Sequence, residues 1–410
     1  MAKKVVTSPH LSPPIAPYAA AVRAGKMVFL SGTVGTDSRG KLAGAARGKA
    51  DMTAQAKQVF RGISESLRLL GSDLGRIAQL KSFVTDWKVL GRYYRVARRF
   101  LPSQARPAGS TVMASLAQEG LLLEIEGTAV DDEPVFLEGG GAPGPFSPRG
   151  VLVDNLLFVS ACYARDSGGR ALAKGDAREQ SKRALEGLCQ TLEAAEFSVG
   201  DVVRTSMTLA DMRHLPAFER AYATFFRQPY PAMTVTQGQL PARGLLLGVE
   251  AVACKSPKTA VAPGGRRQRW SESLPLLSLP LSQAVRAGGL AYFSGLLSLT
   301  PKGRLMGPGD IRKQTRRCLE QLETSLGLLG LSREDVVKTT VYITDWREYW
   351  PYNDVYGDFF RPPYPARSTV QMGLPIPGAL IQIDAIAAAG AARTAQVAVS
   401  DRSLWKRGRR

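Results

Sequence analysis

The chain has 410 residues but only two histidines, His10 and His214, which lie far apart. Its four cysteines, Cys162, Cys189, Cys254 and Cys318, form no CxxC pair and join no His/Cys cluster with metal-ligand spacing. A zinc site is not expected, nothing in the spacing argues for disulfides, and no cofactor is implied. Neither histidine follows a nucleophile elbow, so a serine–histidine–aspartate triad has no support. What does recur, three times in the same order, is a serine, an aspartate and a Pro-Ala pair.

Three landmarks define the repeat. An apolar run reaches a serine and a small residue at Ser31-Gly32, Ser160-Ala161 and Ser294-Gly295. A longer alternating run ends in Asp86, Asp211 or Asp345. Pro107-Ala108, Pro231-Ala232 and Pro365-Ala366 precede a further run. Serine to aspartate is 55, 51 and 51 residues, and aspartate to alanine is 22, 21 and 21. Glu124, Gly248 or Gln382 lies 16 residues beyond that alanine. Three spacings held through three copies are not chance.

The elements that must position these residues read the same way in each copy. In the first, 27–30 is a strand ending in a turn. The segment 51–70 places Met52, Ala56, Val59, Phe60, Ile63, Leu67 and Leu70 on one helical face. Gly71 is placed to end that helix. Residues 77–85 read as a strand and 89–100 as a second helix. Strands over 110–114 and 121–130 are joined by a turn, and a short segment at 19–23 precedes the first strand. The order β-β-α-β-α-β-β predicts an α+β fold, an α/β sandwich with two helices on one face of a mixed sheet. The other face of each sheet needs cover. Three such faces closing about a three-fold axis would supply it, so one chain is expected to form an intramolecular pseudo-trimer. The domains are placed at 10–131, 143–254 and 272–390, with a basic, disordered tail at 391–410. The Gly/Pro-containing stretches 139–148 and 256–269 read as linkers.

Taken together, these motifs resemble the RidA (YjgF-type) family. The third copy carries the resemblance most fully, in Tyr292-Phe-Ser294-Gly295, Asn353-Asp-Val-Tyr356, Pro365-Ala-Arg367-Ser-Thr-Val370 and Gln382-Ile-Asp-Ala-Ile. The first adds Ala16-Pro17-Tyr18, and in three passes the resemblance covers nearly all of 10–390. It implies a trimeric, chorismate-mutase-like fold with ligand clefts between neighbouring subunits. It also implies cofactor-free hydrolysis of reactive 2-imino or 2-enamino acids to 2-keto acids and ammonia. The family's arginine after Pro-Ala suits such a substrate, because a planar guanidinium binds a carboxylate with two parallel hydrogen bonds. A nearby carboxyl group can hold water and move a proton, and backbone N–H groups with a serine or threonine hydroxyl can support developing charge.

The copies depart from the family pattern in a complementary way. The arginine position holds Gly109, Met233 and Arg367, and the asparagine position Tyr93, Glu219 and Asn353. The acidic position holds Glu124, Gly248 and Gln382, and the tyrosine position Tyr18, Phe146 and Leu281. Only the third and first copies together hold a full set, so a composite site between them is expected. Arg367 and Glu124 would be its catalytic residues, with Tyr18, Ser31, Asn353, Ser294 and Thr369 binding substrate. Structural readings stand beside these. Glu124 and Glu126 alternate on an edge-like strand, where one could face solvent. Arg367 could serve an ion pair, Asn353 a loop tether and Tyr18 packing, and Ser31 and Ser294 could be turn formers.

The formal charge is +19. Lys255, Lys258, Arg266, Arg267 and Arg269 sit in the second linker, and Arg402, Lys406, Arg407, Arg409 and Arg410 in the tail. A solvated linker and tail explain this simply, while weak contact with nucleic acid or another polyanion is the sharper reading. No stretch is long and apolar enough to span a membrane and no secretory leader is visible, so a cytoplasmic monomer is expected. Two alternatives to the deaminase remain: an inactive binding protein holding a small carboxylate or a partner, and an RNA-binding or endoribonuclease-type relative.

Overall fold

The computed structural model describes residues 3–6, 11, 14–45, 50–103, 106–139, 148–262, 268–275, 279–393 and 395–398. The first domain contains β1 (Lys3–Val6), β2 (Ala21–Ala24), β3 (Met27–Val34), α1 (Met52–Leu69), β4 (Ile77–Val84), α2 (Leu90–Phe100), β5 (Ala108–Met113) and β6 (Leu123–Val130). The second has β7 (Val135–Leu137), β8 (Gly150–Val153), β9 (Leu156–Cys162), α3 (Ala177–Ala194), β10 (Val202–Leu209), α4 (Leu215–Phe225), β11 (Ala232–Gln237) and β12 (Leu247–Cys254). The third has β13 (Thr259–Val261), β14 (Gln268–Arg269), β15 (Ala284–Ala287), β16 (Leu290–Leu297), α5 (Ile311–Leu328), β17 (Val336–Ile343), α6 (Tyr349–Phe359), β18 (Ala366–Gln371) and β19 (Ile381–Ala388). The strand β20 (Ala395–Ala398) returns to the first domain, where it lies parallel to β1.

Local chemistry accounts for the helices. The Asp51 carboxylate caps α1 by accepting the Thr53 N–H, and Met52, Ala56, Val59, Phe60, Ile63 and Leu67 are all buried on its sheet-facing side. Gly71 ends the helix at φ +73, where a side chain would be strained, and the Ser72 N–H closes on the Leu67 carbonyl at 2.9 Å. Each fully buried Leu or Ile in this layer contributes about 1.5–3 kcal/mol.

The sheets are mixed. In the first domain the order is β20-β1-β2-β3-β6-β4-β5, so β5 and β6, although consecutive, are not neighbours. β5 pairs parallel with β4, and β6 lies antiparallel between β3 and β4. The order β7-β8-β9-β12-β10-β11 repeats this plan in the second domain, and β14-β13-β15-β16-β19-β17-β18 in the third. Two expectations change. The strand through each serine does not stop there but runs on past a β-bulge, between Leu30 and Thr33 in the first domain and between Phe293 and Leu296 in the third. The 256–269 stretch is partly built into the third sheet as β13 and β14, and Lys258 donates to the Val202 carbonyl at 3.1 Å. Of the basic tail, 399–410 lies outside the described residues, while 395–398 is β20.

The faces not covered by helices meet one another. Phe29, Val22, Phe158, Val153, Tyr292 and Val285, two from each domain, share one buried apolar cluster. Beside it runs a cyclic set of buried ion pairs. Lys81 of the first domain meets Glu250 of the second at 3.1 Å, Arg204 of the second meets Asp384 of the third at 2.7 Å, and Lys338 of the third meets Glu126 of the first at 2.7 Å. Every link joins the next domain, so the three sheets close as a pseudo-trimer from one chain.

Candidate functional site

The recurring serine is the seam between domains. Ser31 Oγ accepts the Arg367 backbone N–H at 2.8 Å and donates to the Ala19 carbonyl. Ser160 accepts from the Gly109 N–H at 3.0 Å and donates to the Pro148 carbonyl at 2.8 Å. Ser294 accepts from the Met233 N–H at 2.8 Å and donates to the Ser282 carbonyl at 2.6 Å. The bulge aims each hydroxyl out of its own sheet and onto the neighbour's strand. These bonds pair the residue after each Pro-Ala with one serine and so define three clefts. Arg367 faces the first domain, Gly109 the second and Met233 the third.

The Arg367 cleft gathers most of the chemistry. Arg367 on β18 is 3% exposed. Its guanidinium lies 4.7 Å from the Tyr356 ring centre, 5.4 Å from Tyr352 and 5.4 Å from Tyr18 of the first domain. Its Nη1 is buried without a hydrogen-bond partner. Tyr352 and Thr369 share a hydroxyl–hydroxyl bond at 2.6 Å, and Tyr356 shares one with Thr339 at 2.8 Å. Asn353 on α6 donates to the Tyr349 carbonyl at 2.7 Å, and its Oδ1 is buried and unpartnered. Tyr349, Tyr352 and Tyr356 repeat at i, i+3 and i+7, a spacing in the sequence that marks an aromatic face of α6.

Across the seam, Glu124 sits on β6, a central strand, and is 4% exposed, so the solvent-facing reading does not hold for it. A Cβ at Gly32 would fall 1.8 Å from Glu124 Oε1, so only glycine leaves room for this carboxyl group. Burial, then the nearby Glu126 charge, push the Glu124 carboxyl up to about 8, against the pull of Lys338, the Thr369 N–H and Arg367. Burial also works to raise Glu126, but the Lys338 ammonium holds it below the usual carboxylate range. Two carboxyl groups two residues apart are thus driven in opposite directions. Ser294 is not brought to this cleft and occupies the equivalent seam of the Met233 cleft.

The other two clefts lack both charged partners. In the Gly109 cleft, the Tyr163 ring fills the space of the missing acid, with Cε1 2.4 Å from where a Gly248 Cβ would stand. Tyr93 is buried in the first core, where its hydroxyl and that of Ser82 are 2.6 Å apart. Phe146 lies outside the described residues. In the Met233 cleft the Gln382 amide lies over Gly295 as Glu124 lies over Gly32.

A family model described as Endoribonuclease L-PSP matches residues 10–131, 140–255 and 273–389. The chain belongs to this family. It is similar to the RutC family protein PH0854 of Pyrococcus horikoshii, 36% identical over 118 residues that span 29% of this chain and 94% of that protein. A solved RidA from the Antarctic bacterium Psychrobacter sp. is 29% identical over 29% of this chain and 95% of its own, with a TM-score of 0.27. A chorismatase is 12% identical with a TM-score of 0.54 over 77% of this chain and 93% of its own, a likeness of fold alone. The L-PSP match recurs once per domain, in keeping with the three sheets. No helix among the described residues is long and apolar enough to cross a membrane.

Proposed function

We propose that the Arg367 cleft hydrolyses 2-imino or 2-enamino acids to 2-keto acids and ammonia. The observation that carries this is a buried guanidinium with a free Nη1 facing a neutral-prone carboxyl group across a domain seam. Arg367 binds the substrate carboxylate, and the three tyrosine rings hold the guanidinium in one plane. Asn353 Oδ1 is free to accept an N–H of the imine. Glu124, largely protonated at pH 7, gives its proton to the imine nitrogen, or to the β-carbon of an enamine. The resulting carboxylate takes a proton from the water that attacks the C2 carbon. It returns that proton to the amino group and, as the C–N bond breaks, takes the proton of the carbinolamine hydroxyl, which becomes the keto oxygen, so Glu124 ends protonated, one water is consumed and one ammonia leaves. Thr369 supplies its N–H to Glu124, and Ser31 holds the strand that carries Arg367.

A small carboxylate suits this cleft better than a polynucleotide, because Arg367 is wedged among three rings rather than spread on an exposed basic face. The test is release of ammonia and keto acid from an imino acid formed in situ by an amino-acid oxidase. Acceleration by the intact chain that disappears in Arg367→Ala supports the reading. No acceleration with several side chains replaces it with carboxylate binding alone.

A further inference from the structure

The Met233 cleft has its own chemistry. It encloses a cavity of about 210 Å³, lined by Met233, Leu281, Leu297, Leu299 and Ile376 among others. A cavity of about 150 Å³ is enough to hold benzene, so a substituted ring fits. Where the Arg367 cleft has a cation, this one has the Met233 thioether. Where the Arg367 cleft has an acid, it has Gln382, a cavity-lining side chain 1% exposed whose Oε1 has no hydrogen-bond partner. A buried amide oxygen left unpaired is unfavourable, and a ligand that donates to it removes that penalty. Among the described residues that line the cavity the one cation is Lys302, which is exposed.

We infer that this second cleft binds an uncharged, largely apolar small molecule that donates an N–H or O–H to Gln382 Oε1. A carboxylate is excluded there, because it brings a charge with no buried cation to meet it and no donor for the amide oxygen. The inference stands independently of imine hydrolysis, since it uses a different cleft and no catalytic residue. The chain would then sort two ligand classes between two equivalent positions of one fold.

Methyl-labelled methionine NMR on the full chain tests this. The Met233 signal is assigned by its loss in Met233→Leu. Benzamide and benzoate, nearly equal in shape, are titrated separately. The expected result is a saturable benzamide-dependent shift of Met233, with benzoate leaving it in place. Gln382→Leu, which keeps the apolar volume, should weaken benzamide about 3- to 10-fold. Absence of saturation up to about 20 mM benzamide overturns the proposal. So does equal binding of benzoate, or an unchanged affinity in Gln382→Leu. The comparison of the two probes needs no variant, so a poorly folded Gln382→Leu leaves the test decisive.

Discussion

Ser31 Oγ accepts the backbone N–H of Arg367 at 2.8 Å across the seam between the first and third domains, though 336 residues separate them in the chain. That bond places the guanidinium next to Tyr18 and opposite Glu124. Because the same hydroxyl donates to the Ala19 carbonyl, it ties the Pro-Ala strand of one domain to β3 and to the segment before β2 of the other. Ser31→Ala should therefore lower activity about 10-fold through misplacement of Arg367 while costing only about 1–3 kcal/mol of stability. Ammonia-release kinetics together with urea unfolding separate the two effects.

Arg367→Ala should reduce kcat/KM for an imino acid by about 100-fold, the value of a charge-assisted pair lost from a buried site. Arg367→Lys should recover only part of it, since an ammonium lacks the planar fork and stacks poorly between the rings. Arg106→Ala is the matched control, because Arg106 pairs with Glu138 at a half-exposed site away from the Arg367 cleft. Equal losses in Arg106→Ala and Arg367→Ala would remove Arg367 from the site.

Glu124 gives the pH dependence a definite sign. Its carboxyl is raised to about 8 in the folded chain from 4.5. Between those values the folded state holds a proton that the unfolded state has released, so stability falls as pH rises from about 4.5 to about 8 and levels off above. Glu124→Gln removes this loss. The variant should gain stability over the parent at pH 8.5 and little at pH 4.5, measured by thermal unfolding. Its activity should be abolished, and the parent's rate should decline as pH rises through about 8.

The cyclic ion pairs should behave as a set. Glu250→Gln leaves the Lys81 ammonium without its carboxylate partner in a buried position, so the expected cost is about 3–5 kcal/mol. Lys81→Met with Glu250→Leu removes both charges and should cost much less than the single change. Urea unfolding of the single and double variants checks this. A single-variant cost below about 1 kcal/mol would mean that water reaches the pair.

Much of this protein was legible without coordinates. The serine, aspartate and Pro-Ala spacings define three copies because each marks a place where the backbone does something fixed: a bulge, a strand end, a strand entry. The apolar face of 51–70 and the stop at Gly71 follow from helical periodicity and from glycine's freedom at positive φ. The complementary loss of arginine and acid among the copies was visible residue by residue. That visibility is why Arg367 and Glu124 could be singled out before anything was known of their distance.

Tertiary structure alone decided the rest. Chain order says nothing about which open face meets which, so the direction of the ring, Arg367 to the first domain and Met233 to the third, rests on bonds between residues 336 and 61 positions apart. The burial of Glu124 needed the order of the sheet, because a sequence cannot tell a central strand from an edge when both alternate. The tyrosine cage and the opposed shifts of Glu124 and Glu126 arise where side chains of the first and third domains meet and are buried together. Local sequence sets local geometry through backbone sterics and periodicity. Dielectric environment and charge pairing depend on what lies across the seam, and only the folded ring supplies that.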